Sequence, residues 1–131
     1  MIVVDTNVVA YLYLPGEFTR AAEALLERDP YWSSPPLWRS EFRSILAGYL
    51  RRGTISFDAA RDLLSEAESL MAAGEHEVDS VRVLELVRDS DCSAYDCEFV
   101  ALARAFGVPL VTMDARILRA FPNEAVALRA G

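Results

Sequence analysis

The chain has 131 residues, 53% of them hydrophobic, enough for one packed domain spanning residues 1–131 and too many for a disordered or low-complexity polypeptide. Its formal charge of −7 argues against a broad basic surface for non-specific nucleic-acid binding and leaves room for a local acidic site that holds cations. All 13 basic residues are arginine, which closes every mechanism that needs a lysine.

Ile2–Val4 reads as a short buried strand, and Asn7–Leu14 as a helix ended by Pro15-Gly16. Phe18–Arg28 is a second helix with Ala22, Leu25 and Leu26 on one side, and Tyr31–Ser33 a second strand. Ser34-Pro35-Pro36 opens a helix that runs to Arg52 and stops at Gly53, proline being suited to a first turn. Ser56–Ala73 follows as a helix with Leu63, Leu64, Leu70 and Met71 toward the core, then Glu75–Val78 as a third strand. Ser80–Arg88 and Ser93–Phe106 are helical, the latter closed by Gly107. Pro109–Thr112 is a fourth strand, Ala115–Ala120 a short helix and Ala125–Leu128 a last strand. Short β-branched runs alternating with helices predict an α/β sandwich around a mainly parallel sheet of four to five strands. The stretch from Ser34 to Ala73 is an αα-hairpin within it. No apolar run approaches the ~20 residues of a membrane span, and no basic segment precedes Ile2 as in a signal peptide. Cys92 and Cys97 give no disulfide framework, so a cytoplasmic protein with free thiols is expected.

Four acids need explaining. Asp5 and Asp114 stand just beyond apolar strands, where parallel sheets collect ligands. Each also suits an N-cap of the helix that follows. Glu41 is more telling. At 100° per residue it falls within the apolar arc formed by Leu37, Trp38, Phe42, Ile45, Leu46, Tyr49 and Leu50. A carboxylate facing the core is costly unless it pairs with a cation or holds a metal. Arg39 and Arg43 lie on the opposite side of that helix. In SAYDCEFVALARAFG, Phe99, Val100, Ala103 and Phe106 mark the inward stripe, Asp96 projects into it and Glu98 points away. Ser93-x-x-Asp96 also fits a capping box, which accounts for Asp96 alone and not for Glu41. Three or four converging carboxylates repel one another unless a cation sits among them, and oxygen donors select Mg²⁺ or Mn²⁺ over zinc. Such a site polarises a phosphodiester and activates a bound water.

At these residues the chain resembles the PIN-domain ribonucleases: VVDTNVVAYLYL at the start, Glu41 on the third helix, and SAYDCEFVALARAFGVPLVTMD near the end. It is most similar to the compact toxins of VapBC-type toxin–antitoxin modules. The resemblance implies a three-layer sandwich with strand order 3-2-1-4-5 and Mg²⁺- or Mn²⁺-dependent cleavage of RNA. It makes Asp5, Glu41 and Asp96 the principal acids and Asp114 the more variable fourth. Asn7 and Thr112 match polar residues that orient them, with Thr6 and Ser93 as further support. Cys97 stands where alanine is common, on what reads as a helix flank. The resemblance also implies a homodimer held inactive by an antitoxin whose C-terminal segment crosses the acidic groove. Tyr31, Trp32 and Trp38 are candidate interface aromatics, core packing being the plainer reading. Arg39, Arg43, Arg51 and Arg52 could follow an RNA backbone, or form a solvated helix face. His76 is read as a surface residue.

Rival readings meet specific obstacles. A phosphoacceptor receiver needs a lysine, a P-loop nucleotidase a GK[ST] loop, and an aspartyl phosphatase an acid where Asn7 stands. Zinc at Cys92, Cys97 and His76 lacks ligands and spacing. A catalytically silent PIN-like scaffold is the remaining alternative, and a gain of thermal stability with Mn²⁺ separates it from an enzyme.

Overall fold

The computed structural model describes residues 1–129. Strand β1 (Ile2–Val4) leads into helix α1 (Thr6–Tyr13), followed by α2 (Thr19–Arg28) and β2 (Trp32–Ser33). Two longer helices, α3 (Trp38–Arg51) and α4 (Phe57–Met71), form the expected hairpin, and a 3-10 turn covers Ala72–Gly74. Helices α5 (Ser80–Arg88) and α6 (Ala94–Phe106) precede β3 (Leu110–Thr112), α7 (Ala115–Ala120) and β4 (Ala125–Ala127).

All pairings in the sheet are parallel, in the order β2-β1-β3-β4. Val4 lies beside Val111, and Thr112 beside Ala127. The three residues of β1 and the three of β3 are all buried, as strands covered by helices on both faces must be. The order agrees with the 3-2-1-4-5 expectation with one strand reduced. The expected Glu75–Val78 strand is a single parallel bridge, Ser34 to Glu75, that continues the sheet beside β2. Its extension is limited by how closely the chain enters: a Cβ on Gly74 would fall 1.9 Å from the Trp32 carbonyl oxygen. Glycine permits that approach, and the next side chain, Glu75, is drawn aside into hydrogen bonds with Trp38 and Arg39.

The core joins β1 and β3 to Val8 and Val9 of α1, Trp38 and Phe42 of α3, and Val100 of α6. Trp32 and Trp38 are fully buried, so core packing accounts for them, whereas Tyr31 is exposed. Three sequence expectations are corrected. Cys97 is completely buried rather than on a flank, its Sγ 4.0 Å from the Ser90 hydroxyl. Phe106, expected inward, is 41% exposed in the last turn of α6. His76 is half-buried and meets the Phe106 ring edge-on at 4.9 Å, so it is no free surface residue. Cys92 and Cys97 are both free thiols, as expected. Among the described residues, no helix is long and apolar enough to cross a membrane.

Candidate acidic active site

The central strand β1 has β2 on one side and β3 on the other, so strand order reverses between β1 and β3. Parallel sheets open a crevice at that point, beyond the carboxyl ends of the strands. Asp5 follows β1 directly and Asp114 lies two residues beyond β3; the Asp5 backbone N–H donates to the Val111 carbonyl and locks the two ends together. Helix α3 brings Glu41 in, and the first turn of α6 brings Asp96. Asp5, Thr6, Asn7, Glu41, Ser44, Ile45, Asp96 and Asp114 thus line one cleft of about 270 Å³. Residues separated by most of the chain meet there, and no basic side chain is among them.

Local hydrogen bonds separate the capping readings. Asp5 begins α1 with extended backbone but its side chain makes no cap bond. It accepts instead from the Thr112 hydroxyl, Oγ1 to Oδ2 at 2.8 Å. That same hydroxyl accepts the Asp114 backbone N–H at 3.0 Å, so one buried threonine orders both strand ends. Asp114 does cap its helix: Oδ1 accepts from the Arg116 and Ile117 N–H groups at 2.8 and 3.2 Å. The Ser93 hydroxyl accepts the Asp96 N–H at 3.0 Å, which is half of a capping box. Among the described residues the returning bond from the Asp96 carboxylate is absent, so capping leaves that carboxylate free. Thr6, only 3% exposed, donates to Glu41 Oε1 at 2.7 Å. Asn7 is exposed and makes no hydrogen bond to any of the acids.

The acids are not neutralised by cations. None of the ion pairs among the described residues involves Asp5, Glu41, Asp96 or Asp114. Burial pushes the Asp5 carboxyl above its ordinary range, and the charges of Asp96 and Asp114 push the same way, against the Thr112 hydrogen bond. Burial likewise raises Glu41; its Thr6 hydrogen bond opposes this, while Asp5, Asp96 and Glu98 add to it. Glu98, in the same turn of α6 as Asp96, is half-buried and is not among the residues that line the cleft. Arg39, Arg43, Arg51 and Arg52 are not among the residues that line this cleft. Arg39 Nε donates to Glu75 at 2.6 Å and its Nη1 pairs with Glu68 at 2.5 Å, while Arg43 bonds to the Arg39 carbonyl and the Ser40 hydroxyl.

The donor set is carboxylate, hydroxyl and amide oxygen, which suits a hard divalent ion of the Mg²⁺ or Mn²⁺ kind. As the side chains stand, no three acids, cysteines or histidines among the described residues are close enough to clasp an ion together. The cleft therefore offers unneutralised ligands and not a closed cage.

Residues 2–122 match the family described as the PIN domain. The chain belongs to the PIN-domain family. Within the family it is similar to Ribonuclease VapC3 of Pyrobaculum aerophilum, with 30% identity over 124 residues, 92% of this chain and 95% of that one. The PIN fold recurs in a crystal structure of a Pyrobaculum aerophilum protein (TM-score 0.78, 20% identity, covering 97% of this chain and 90% of that one). It recurs in a toxin–antitoxin complex from Klebsiella pneumoniae at TM-score 0.70 and 16% identity, with both chains fully covered. FitAcB from Neisseria gonorrhoeae gives 0.74 and 16% identity, with 98% and 97% covered.

Proposed function

We infer that this PIN protein is a VapC-type endoribonuclease, the toxin of a toxin–antitoxin pair, which cleaves RNA phosphodiesters with a divalent ion. One observation carries the reading: four carboxylates from distant parts of the chain share a cleft at the strand-order reversal with no cation to balance them. The VapC3 relative is named a ribonuclease, and one structural neighbour is named a toxin–antitoxin complex, which supports it.

Asp5, Glu41, Asp96 and Asp114 are the residues that would hold Mg²⁺ or Mn²⁺. Such an ion, when bound, acidifies a water and offsets charge gathering on the scissile phosphate. The chain's own contribution is to aim the carboxylates. Thr112 occupies Oδ2 of Asp5 and Thr6 occupies Oε1 of Glu41, so each acid keeps its other oxygen for a ligand. Asp114, with Oδ1 engaged by its helix, also has one oxygen to offer. In this reading Arg39 serves the fold, being tied to two glutamates. A homodimer in the cytoplasm, silenced by an antitoxin segment laid across the acids, completes the proposal.

The test is cleavage of a mixed single-stranded RNA with and without Mg²⁺. Wild type cuts only with the ion, and Asp96→Asn retains fold but loses cutting; undiminished cleavage by the variant overturns the mechanism. The separation of the acids favours one second reading, a silent scaffold. Melting with Mn²⁺ decides between them, because a site that binds the ion gains stability by mass action and a scaffold does not.

A further inference from the structure

A second cleft of about 390 Å³ adjoins the acidic one and shares Asn7 and Ile45 with it. Its walls come from α1, the 14–19 turn and α3, and three of its side chains are aromatic: Tyr11, Phe18 and Tyr49. Tyr11 and Phe18 pack against each other with ring centres 4.9 Å apart, which fixes that wall. Two tyrosine hydroxyls of the chain are satisfied by carbonyls, those of Tyr13 and Tyr31. The hydroxyls of Tyr11 and Tyr49 have no partner among the described residues.

Glu17 is the one charged residue lining this cleft, and an arginine stands at its Tyr49 edge. The Arg52 guanidinium lies over the Tyr49 ring at 4.8 Å. Gly48 makes room for it: a Cβ there would meet Arg52 Nη1 at 3.2 Å. Arg39, Arg82, Arg88 and Arg104 are all ion-paired, whereas Arg52 is in none of the ion pairs among the described residues. An exposed guanidinium stacked on a ring at the edge of an aromatic cleft can take an anion that also brings an apolar, ring-shaped group. Single-stranded nucleic acid supplies both, a phosphate for the arginine and a base for the aromatic wall.

We propose that this cleft is the subsite for the RNA nucleotide next to the cleaved bond, with Tyr11 and Tyr49 taking the base and Arg52 the phosphate. The proposal rests on the ribonuclease reading, so its test is run on binding and not on cutting. A fluorescent single-stranded RNA oligonucleotide is titrated with the full chain in EDTA, where no cleavage occurs. Tyr49→Ala and Arg52→Gln each weaken binding about tenfold, the range expected for one stacked base, and Tyr11→Phe weakens it less. Arg61→Gln, on the exposed face of α4, leaves it unchanged. Arg52→Gln also lowers the salt dependence of binding, which mere damage to the fold does not do selectively. Hydrolysis of bis(p-nitrophenyl) phosphate with Mn²⁺ reads the acids without the cleft; its absence in wild type breaks the nuclease reading, while tenfold losses in EDTA still support the subsite. Oligonucleotide affinity unchanged in all three cleft variants overturns the proposal. If those same variants instead lose binding of the protein encoded beside this chain, the cleft belongs to a polypeptide segment and the proposal is equally overturned.

Discussion

Helix α3 meets carboxylates on two sides and treats them oppositely. On one side Glu75 accepts from Trp38 Nε1 and Arg39 Nε, both at 2.6 Å, and Glu68 takes the other end of Arg39. On the other side Glu41 receives one neutral hydroxyl, from Thr6, and shares a cleft with Asp5, Asp96 and Asp114. The first cluster is complete: donors and acceptors match, and it ties α3 to α4 and to the bridge beside β2. The second is short of positive charge. In the function proposed above, a fold that neutralises Glu75 with a bonded arginine and leaves Glu41 without one keeps the second site for a cation from outside.

The sharpest way to break this contrast is to neutralise one acid at a time. Asp5→Asn or Asp96→Asn should lower Mg²⁺-dependent RNA cleavage by about 100- to 1,000-fold or more, a typical loss when a transition-state charge loses its support. Circular dichroism and melting in EDTA should show an intact fold, since neither carboxylate is bonded to a cation. Retained cleavage would erase the distinction between the two sides of α3. A smaller effect should follow at the hydroxyls. Thr112→Val removes the donor to Asp5 and the acceptor for the Asp114 N–H together. Supporting residues of this kind are worth roughly 10- to 100-fold in metal affinity or activity. A Mn²⁺ titration followed by melting reads the affinity separately from the turnover.

The paired cluster should answer in stability alone. Glu75→Ala strands the indole N–H of Trp38, a fully buried residue, and frees one end of Arg39. The expected loss is about 1–3 kcal/mol by urea denaturation. Activity per folded molecule should hold, because Glu75 lines no part of the acidic cleft. A loss of activity without a loss of stability would move Glu75 into the site.

Much of this contrast was legible from residue order. β-Branched runs marked β1 and β3, and the periodicity of α3 singled out Glu41 because one carboxylate among seven apolar neighbours stands out at any register. What periodicity cannot supply is the identity of the element opposite. It placed Phe106 inward, although the last turn of α6 has outrun the core. The Glu75–Val78 segment looked like a strand because β-propensity is read locally; the glycine contact at Trp32 and the pull of Arg39 and Trp38 on Glu75 are tertiary. For the same reason Arg39 and Arg52 looked alike as basic residues of one helix, and only packing shows the first consumed and the second free.

The smallest effect tests the electrostatics directly. Burial first, and neighbouring acids after it, hold the Asp5 and Glu41 carboxyls above their ordinary 3.8 and 4.5. Between each unfolded value and its raised folded value, the native state binds more protons than the unfolded chain. Stability of the ion-free protein contributed by these groups therefore falls as pH rises through that window, and the penalty persists above it. Asp5→Asn deletes the share of Asp5 while an amide oxygen can still accept from Thr112. In EDTA, the variant should melt slightly above wild type near neutral pH, and the gap should close as pH falls below the unfolded carboxylate value. Ion pairs such as Arg39 with Glu75 weaken in acid for both proteins and cancel in the difference. Saturating Mn²⁺ should reverse the order at neutral pH, because the ion stabilises only the protein that keeps its ionised carboxylate. A gap that ignores both pH and metal would mean that the acids on the cleft side of α3 are as well compensated as those bonded to Arg39.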